Sequence, residues 1–425
     1  MPQSLKLKTA SFVYNLGWKA ALPFLHRNER LREGFDRRTL NHSLPPQADV
    51  WIQAASAGEA KLATRIMDQI SPDKPTKFLL TTNTSQGLAE LERTAYRLTP
   101  NSRKVSATAT YFPFDMPSLA TKALKAVNPK VVVMLETEIW PGFLMACKKL
   151  GIKVIFINAR MTTKSLAGYM SCPSFFRKIG PEEVLAISPD DANRFKTLFE
   201  IDKVSLMPNI KFDSTDTAEA IPYTSNPLSS IFRPKTPFII LGSVRKEEES
   251  QVLNIAVALK KERPKTVIGL FPRHMHRIEA WKKMLTDKEL PWILRSKVTS
   301  TVPFGHIVLW DIFGEMIPAF ALARAAFIGG SLAPLGGQNF MEPLANGVTP
   351  VIGPFWSNFA WIGNEIFEKN IARQAGDWKG VLQELLDISK KTIKPEKVKK
   401  EFETFLKDMR GGTKMACEAI KRNLS

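Results

Sequence analysis

From residue 50 onward the hydrophobic pattern repeats as short runs of branched apolar residues, each followed by a longer stretch with helical spacing. Val50–Ala55, Lys77–Thr82, Val131–Leu135, Lys153–Asn158 and Val184–Ile187 form the first series. Such runs alternating with amphipathic stretches predict a parallel sheet with crossover helices. Ser188-Pro189-Asp190-Asp191 supplies an N-cap, a proline at the first helical position and an acid at the third, which predicts a helix after the fifth run. Between Asp213 and Pro237 the pattern lapses into polar sequence punctuated by Pro222, Pro227, Pro234 and Pro237, and an interdomain linker is expected over 214–237. The series restarts with Phe238–Leu241, Thr266–Leu270, His306–Trp310, Ala325–Ile328 and Thr349–Ile352. A second Rossmann-like domain over 238–425 is therefore expected to follow a first over 46–213. Past Pro395, the residues Val398, Phe402, Phe405 and Leu406 keep helical spacing, so the lysine-rich tail is expected to close the second domain as a packed helix.

Ahead of the first strand, over residues 1–45, Phe12, Leu16, Ala20 and Phe24 form one helical row flanked by Val13 and Ala21, and Arg27, Arg30, Arg32, Arg37 and Arg38 follow. The pattern suits a helix lying in a membrane interface with a basic collar, kinked or ended by Pro23. A helix packed on its own domain has the same spacing, and periodicity leaves both readings open. The apolar stretch from Ala10 to Leu25 is broken by Lys19 and Pro23 and falls short of the roughly 20 residues that span a bilayer. With no small-residue cleavage site behind it, neither a transmembrane helix nor export is expected.

Composition narrows the picture. A chain of 425 residues is too long for one ordinary domain, and its net charge of +19 favours anionic partners: nucleic acid, acidic headgroups or a phosphorylated substrate. Cys147, Cys172 and Cys417 are odd in number and widely spaced, which fits a reducing compartment better than a disulfide framework, and none has a neighbour at metal-ligand spacing.

Candidate chemistry gathers where the predicted strands end. Ala55-Ser56-Ala57-Gly58-Glu59 follows the first strand; Ser56 and Glu59 have the spacing of a capping box, and Glu59 is equally a carboxylate at the sheet's carboxyl edge, where burial would suit it as a general base. Glu136 and Glu138 follow the very apolar Val131–Leu135 run, an expensive place for two acids without partners. Pro272-Arg273-His274 puts a guanidinium and an imidazole at a strand's end, suited to a nucleotide phosphate or to a surface salt bridge. Gly329-Gly330-Ser331 and Gly336-Gly337-Gln338-Asn339-Phe340-Met341-Glu342-Pro343 allow close backbone approach, and a helix beginning near Asn339 would aim free amides at a phosphate. Asn339 and Glu342, one turn apart, would face ribose or base hydroxyls. The Lys-Ser/Thr phosphate loop and the Gly-x-Ser-x-Gly turn are absent from the sequence, which removes most support for kinase and serine esterase readings.

Taken in order, these turns resemble the 3-deoxy-D-manno-octulosonic acid (Kdo) transferases over nearly the whole chain. The resemblance rests on Ala55–Glu59, Thr81-Thr82-Asn83-Thr84, Glu136-Thr137-Glu138-Ile139-Trp140-Pro141, Asn158-Ala159-Arg160, Asn209-Ile210-Lys211-Phe212-Asp213, Pro272-Arg273-His274, Gly314-Glu315-Met316, and Gly329-Gly330-Ser331 through Glu342-Pro343. It implies an α/β GT-B fold, two Rossmann-like domains with parallel sheets facing across a cleft, and a metal-independent enzyme without cofactor. The implied reaction is inverting transfer of Kdo from CMP-Kdo to a lipid A precursor, lipid IVA, at the cytoplasmic face of a Gram-negative inner membrane, with no nucleic-acid partner. The resemblance makes Glu59 the base, with Glu136 and Lys211 in support. It assigns the donor to Pro272, Arg273 and His274, to the turn Phe313-Gly314-Glu315, to Gly336 and Gly337, and to Asn339, Phe340, Met341 and Glu342. The chain departs from the family in having Gln338 for a usual His, Gln53 for a His after Trp51-Ile52, and Ser243-Val244-Arg245-Lys246-Glu247 for a Ser-Thr-x-x-Gly-Glu stretch. The alternatives are a GT-B enzyme using a UDP- or GDP-sugar, and a non-catalytic basic protein bound to membrane or nucleic acid.

Overall fold

The computed structural model describes residues 5–25, 29–41, 43–98, 104–213, 221–391 and 394–424; Arg27 of the expected collar and residues 214–220 of the expected linker lie outside them. The chain divides into two units, Met1–Ser214 with Met409–Ser425, and Thr215–Asp408. The first is built on parallel strands β1 (Val50–Gln53), β2 (Thr76–Thr82), β3 (Val105–Tyr111), β4 (Val131–Leu135), β5 (Lys153–Ala159), β6 (Glu183–Ala186) and β7 (Val204–Leu206), in the order β3-β2-β1-β4-β5-β6-β7. The second holds β8 (Phe238–Val244), β9 (Val267–Pro272), β10 (Trp292–Leu294), β11 (Ile307–Leu309), β12 (Ala325–Ile328), β13 (Pro350–Ile352) and β14 (Arg373–Gln374), also all parallel, in the order β10-β11-β9-β8-β12-β13-β14. The α/β class and the two Rossmann-like units are as expected.

The strand sequences are apolar throughout because both faces are covered. In β1 and β4, Trp51, Val132 and Met134 face a core shared with the helices Pro117–Val127, Pro141–Leu150 and Pro189–Phe199. Their neighbours Val50, Ile52, Val131, Val133 and Leu135 face the opposite core, under the helices Ala57–Gln69 and Ser85–Leu98. Alternate side chains leave a strand on opposite sides, so a strand buried on both faces has no polar positions to spare.

The unpredicted strands β3, β7, β10 and β14 are the edge strands of the two sheets. An edge strand is covered less completely and can be short, so it lacks a continuous apolar run: β3 reads Val-Ser-Ala-Thr-Ala-Thr-Tyr and β14 is Arg373-Gln374 alone.

Two domain boundaries differ from expectation. The last helix, Gly412–Leu424, does not close the second domain: its Ala416, Cys417, Ala419 and Ile420 complete the core beside β1 and β4 of the first. Asp213 fastens it there, accepting from the Gly411 amide at 2.8 Å and from the Thr413 amide and hydroxyl at 2.6 Å each. The tail helix Pro395–Met409 does pack through Val398, Phe402, Phe405 and Leu406. The expected linker is also shorter, because Asn226, Leu228, Ile231 and Phe232 are buried. Prolines had disguised a packed irregular segment as a spacer.

The first helix runs Leu5–Leu25 with Pro23 inside it. It does not pack through its apolar row: Phe12 is 70% exposed, Leu16 59% and Phe24 64%. It docks instead through Tyr14, whose hydroxyl donates to Asp115 at 2.8 Å, through Asn15, which accepts the Ser118 amide at 3.1 Å, and through Trp18, 5.9 Å from the Phe114 ring. Among the described residues, no helix is long and apolar enough to cross a membrane.

Candidate active site

Each sheet reverses its winding once, between β1 and β4 and between β8 and β12. The turns beyond the carboxyl ends of such a strand pair diverge and leave a crevice, where ligands bind in open α/β sheets. In the first unit the turn after β1 carries Glu59, and the turn after β4 carries Glu136 and Glu138.

The capping reading of Glu59 holds in the geometry. The Glu59 amide donates to Ser56 Oγ at 3.3 Å, and its carboxylate accepts from the Ala55 amide at 2.5 Å, so it caps the helix Ala57–Gln69. Burial, and then the Glu136 charge, push its pKa above the ordinary glutamate value. A carboxylate so placed is a stronger base than one in water.

Glu136 is buried and sits in the left-handed region, with φ of 55°. Its carboxylate takes Lys211 Nζ at 2.6 Å on one oxygen and Arg160 Nε at 2.8 Å on the other. These cations arrive from separate elements. Arg160 follows β5, while Lys211 lies in the short helix Ile210–Asp213 beyond β7. Asn158, with φ of 56°, ties the two together by accepting the Ile210 amide at 2.9 Å on its side-chain oxygen. Glu138 accepts from the Trp140 indole, and burial with the neighbouring Glu59 charge raises its pKa to about 7. Gln53 lies beside it, fully buried, with its amide oxygen accepting from Thr81 Oγ1 at 2.7 Å. The two acids that the sequence made expensive are thus both partnered.

In the second unit, Pro272 ends β9, and Arg273 and His274 stand exposed just beyond it. Arg273 makes no ion pair among the described residues. Its backbone is held by its amide donating to Val244 O at 2.8 Å, and the His274 and His276 rings stack 5.5 Å apart. Phe313 is 78% exposed beside Gly314. Glu315 is already engaged, taking Arg295 through two bonds of 2.8 and 2.9 Å and the Trp310 indole at 2.9 Å.

The glycine-rich segment differs from expectation. The buried carboxylate of Glu248, from the turn after β8, reaches across to the turn after β12 and accepts the amides of Gly330 at 2.5 Å and Leu332 at 3.1 Å. Those donors are therefore not free for a phosphate. A side chain at Gly329 would meet that carboxylate at 2.4 Å, so this turn uses glycine for close approach to Glu248. The following helix is the five-residue Met341–Ala345 rather than one starting at Asn339. Asn339 accepts the Met341 amide at 3.1 Å and donates to Glu342 at 2.9 Å, so the pair faces one way, as predicted, but is joined. Phe340 is buried against Phe359 and Phe367, and Met341 is buried, so their side chains serve the core. Gly336 and Gly337, with φ of 84° and 79°, form a turn beside a cavity of about 300 Å³ lined by Gly336, Pro354, Phe355 and Trp356.

Arg160, Gln53 and Glu248 were not nominated from the sequence. Arg160 stood in a matching stretch but with no spacing to pair it to Glu136. Gln53 and Glu248 were visible only as departures or as one acid in a Glu-rich run.

Residues 26–214 match the family model described as 3-deoxy-D-manno-octulosonic-acid transferase. The Kdo transferase of Haemophilus influenzae is 28% identical over 334 residues, 77% of this chain and 76% of that protein. That of Bordetella pertussis is 27% identical over 396 residues, 91% and 90% of the two chains. Among solved structures, a glycosyltransferase from Rickettsia africae is similar with a TM-score of 0.55 at 12% identity, over 89% of this chain and 99% of that one. A UDP-GlcNAc 2-epimerase from Neisseria meningitidis gives a TM-score of 0.52 at 14% identity, over 88% and 99%. Fold and sheet order define the class: a GT-B protein of two Rossmann-like units. Within it, the chain is similar to Kdo transferases over most of its length, and these relatives make it a glycosyltransferase enzyme.

Proposed function

We propose that the protein moves Kdo from CMP-Kdo to a lipid A precursor, lipid IVA, with inversion at the anomeric carbon and Glu59 as general base, in lipopolysaccharide biosynthesis. The observation that carries this reading is the Glu59 carboxylate at the β1/β4 crevice, held by the Ala55 amide and raised in pKa by burial and Glu136. As an acceptor hydroxyl attacks the anomeric carbon, its proton passes to Glu59, and the electron pair of the breaking bond leaves with the CMP phosphate. The nucleotide already activates the donor, so the scheme needs neither a covalent enzyme intermediate nor a metal. For CMP, the second unit offers the exposed Arg273, the exposed Phe313 ring and the cavity beside Gly336. The test is transfer from freshly generated CMP-Kdo to a tetraacylated lipid A precursor, together with thermal protection by nucleotides. Transfer with protection by CMP is expected; protection by UDP or GDP alone, without Kdo transfer, replaces this reading with another sugar nucleotide.

The same proposal places the enzyme peripherally on the cytoplasmic face of the inner membrane. The outward apolar row of the first helix supports this, since Phe12 and Leu16 are mostly exposed. A basic chain gains on the order of 1 kcal/mol per Lys or Arg brought near an anionic bilayer. Binding to acidic phospholipid vesicles is expected to fall with salt. In the variant combining Phe12→Ser and Leu16→Ser it should drop at least roughly 10-fold, because burying each such side chain is worth about 1.5–3 kcal/mol. Equal binding of variant and wild type would remove the helix from the attachment.

A further inference from the structure

Arg160 holds more donors than its visible partner uses. Its backbone oxygen accepts Thr137 Oγ1 at 2.8 Å and its Nε lies 2.8 Å from Glu136, so both ends of the residue are fixed to the turn after β4. Glu136 is also bound by Lys211 at 2.6 Å. One carboxylate thus faces two cations. Among the described residues, the two terminal nitrogens of Arg160 make no ion pair or hydrogen bond, and its side chain is 44% exposed. A guanidinium anchored through Nε presents its far edge as a fork matched to two oxygens of one anion.

We propose that Arg160 is an anion-binding, specificity-determining residue of this site, whose terminal nitrogens take an oxyanion pair of the substrate. The oxyanion is either the carboxylate of the transferred sugar acid or a phosphate of the acceptor. The assignment rests on the transfer reading above for its substrates, but not for its geometry. It explains why Glu136 carries two cations when one would neutralise it: Lys211 balances the buried charge, and Arg160 is oriented by it. Neutral sugars would leave the fork unfilled and be selected against.

The test varies donor and acceptor separately for wild type, Arg160→Gln and Arg160→Lys, and adds guanidinium to Arg160→Ala. Arg160→Gln is expected to lose on the order of 10²-fold in kcat/KM, the scale of two charge-assisted hydrogen bonds. Arg160→Lys should recover only part of it, and millimolar guanidinium should restore part of the Arg160→Ala activity. A rise in donor KM alone identifies the sugar carboxylate. A rise in acceptor KM alone, abolished with a dephosphorylated acceptor, identifies the phosphate. Unchanged KM values with no guanidinium rescue overturn the proposal and reduce Arg160 to a brace for Glu136. If the wild type transfers no Kdo, the transfer reading fails by itself, and Arg160 is then judged by heat protection with inorganic phosphate and pyruvate. Protection of the wild type but not of Arg160→Gln by either anion supports the fork; equal response, or none, overturns it.

Discussion

Glu59→Gln is expected to lose about 10²–10⁴-fold in transfer rate, the range of a removed general base, while folding at neutral pH at least as stably as the wild type. The two outcomes separate because one carboxylate has two roles. As a cap it accepts the Ala55 amide, which a glutamine oxygen can also do. As a base it must ionise, which an amide cannot. The linkage has a definite sign. The folded pKa of Glu59 lies above its unfolded value, so its contribution to stability is complete below the unfolded carboxylate range and is lost as pH rises through the folded pKa. Glu138, raised to about 7, acts in the same direction and extends the loss toward neutrality. Urea unfolding from about pH 4 to about pH 8 should therefore show the wild type weakening relative to Glu59→Gln as pH rises. Transfer within a few-fold of wild type by Glu59→Gln would leave Glu59 as a helix cap alone.

Replacing Glu136 with alanine is expected to cost on the order of 3 kcal/mol, the low end for breaking a buried ion pair, because Lys211 and Arg160 are partly open to water. Glu136→Gln keeps the shape and removes the charge that helps raise the Glu59 pKa, so the acid limb of the rate profile should move to lower pH. Denaturant midpoints and pH–rate profiles on the same variants check both statements. A stable Glu136→Ala with an unshifted profile would show that the pair neither supports the turn nor acts on the base.

Much of the site was legible because a Rossmann-like sheet places its chemistry where strands end, and an apolar run that stops at a charged residue marks such an end. Glu59, Glu136 and Arg273 were found in this way. Roles were harder to read than positions. Glu315 and Phe340 were grouped with the donor site, yet Glu315 is committed to Arg295 and Trp310, and Phe340 to the core. The glycines at 329–330 do allow a close approach, but the group that approaches is Glu248, and the helix expected from Asn339 is only Met341–Ala345.

The apolar runs alone determined the interior strands, the presence of two repeating units and the helix before residue 26, since double-sided burial and amphipathic spacing are properties of contiguous residues. The edge strands were hidden because partial cover requires no such run. Only the tertiary structure decided that Gly412–Leu424 returns to the first unit, that the first helix turns its apolar row outward, and that Arg160, Lys211 and Glu248 find their partners. Each of those outcomes pairs residues far apart in the chain, where strand order, rather than local pattern, sets which turns become neighbours.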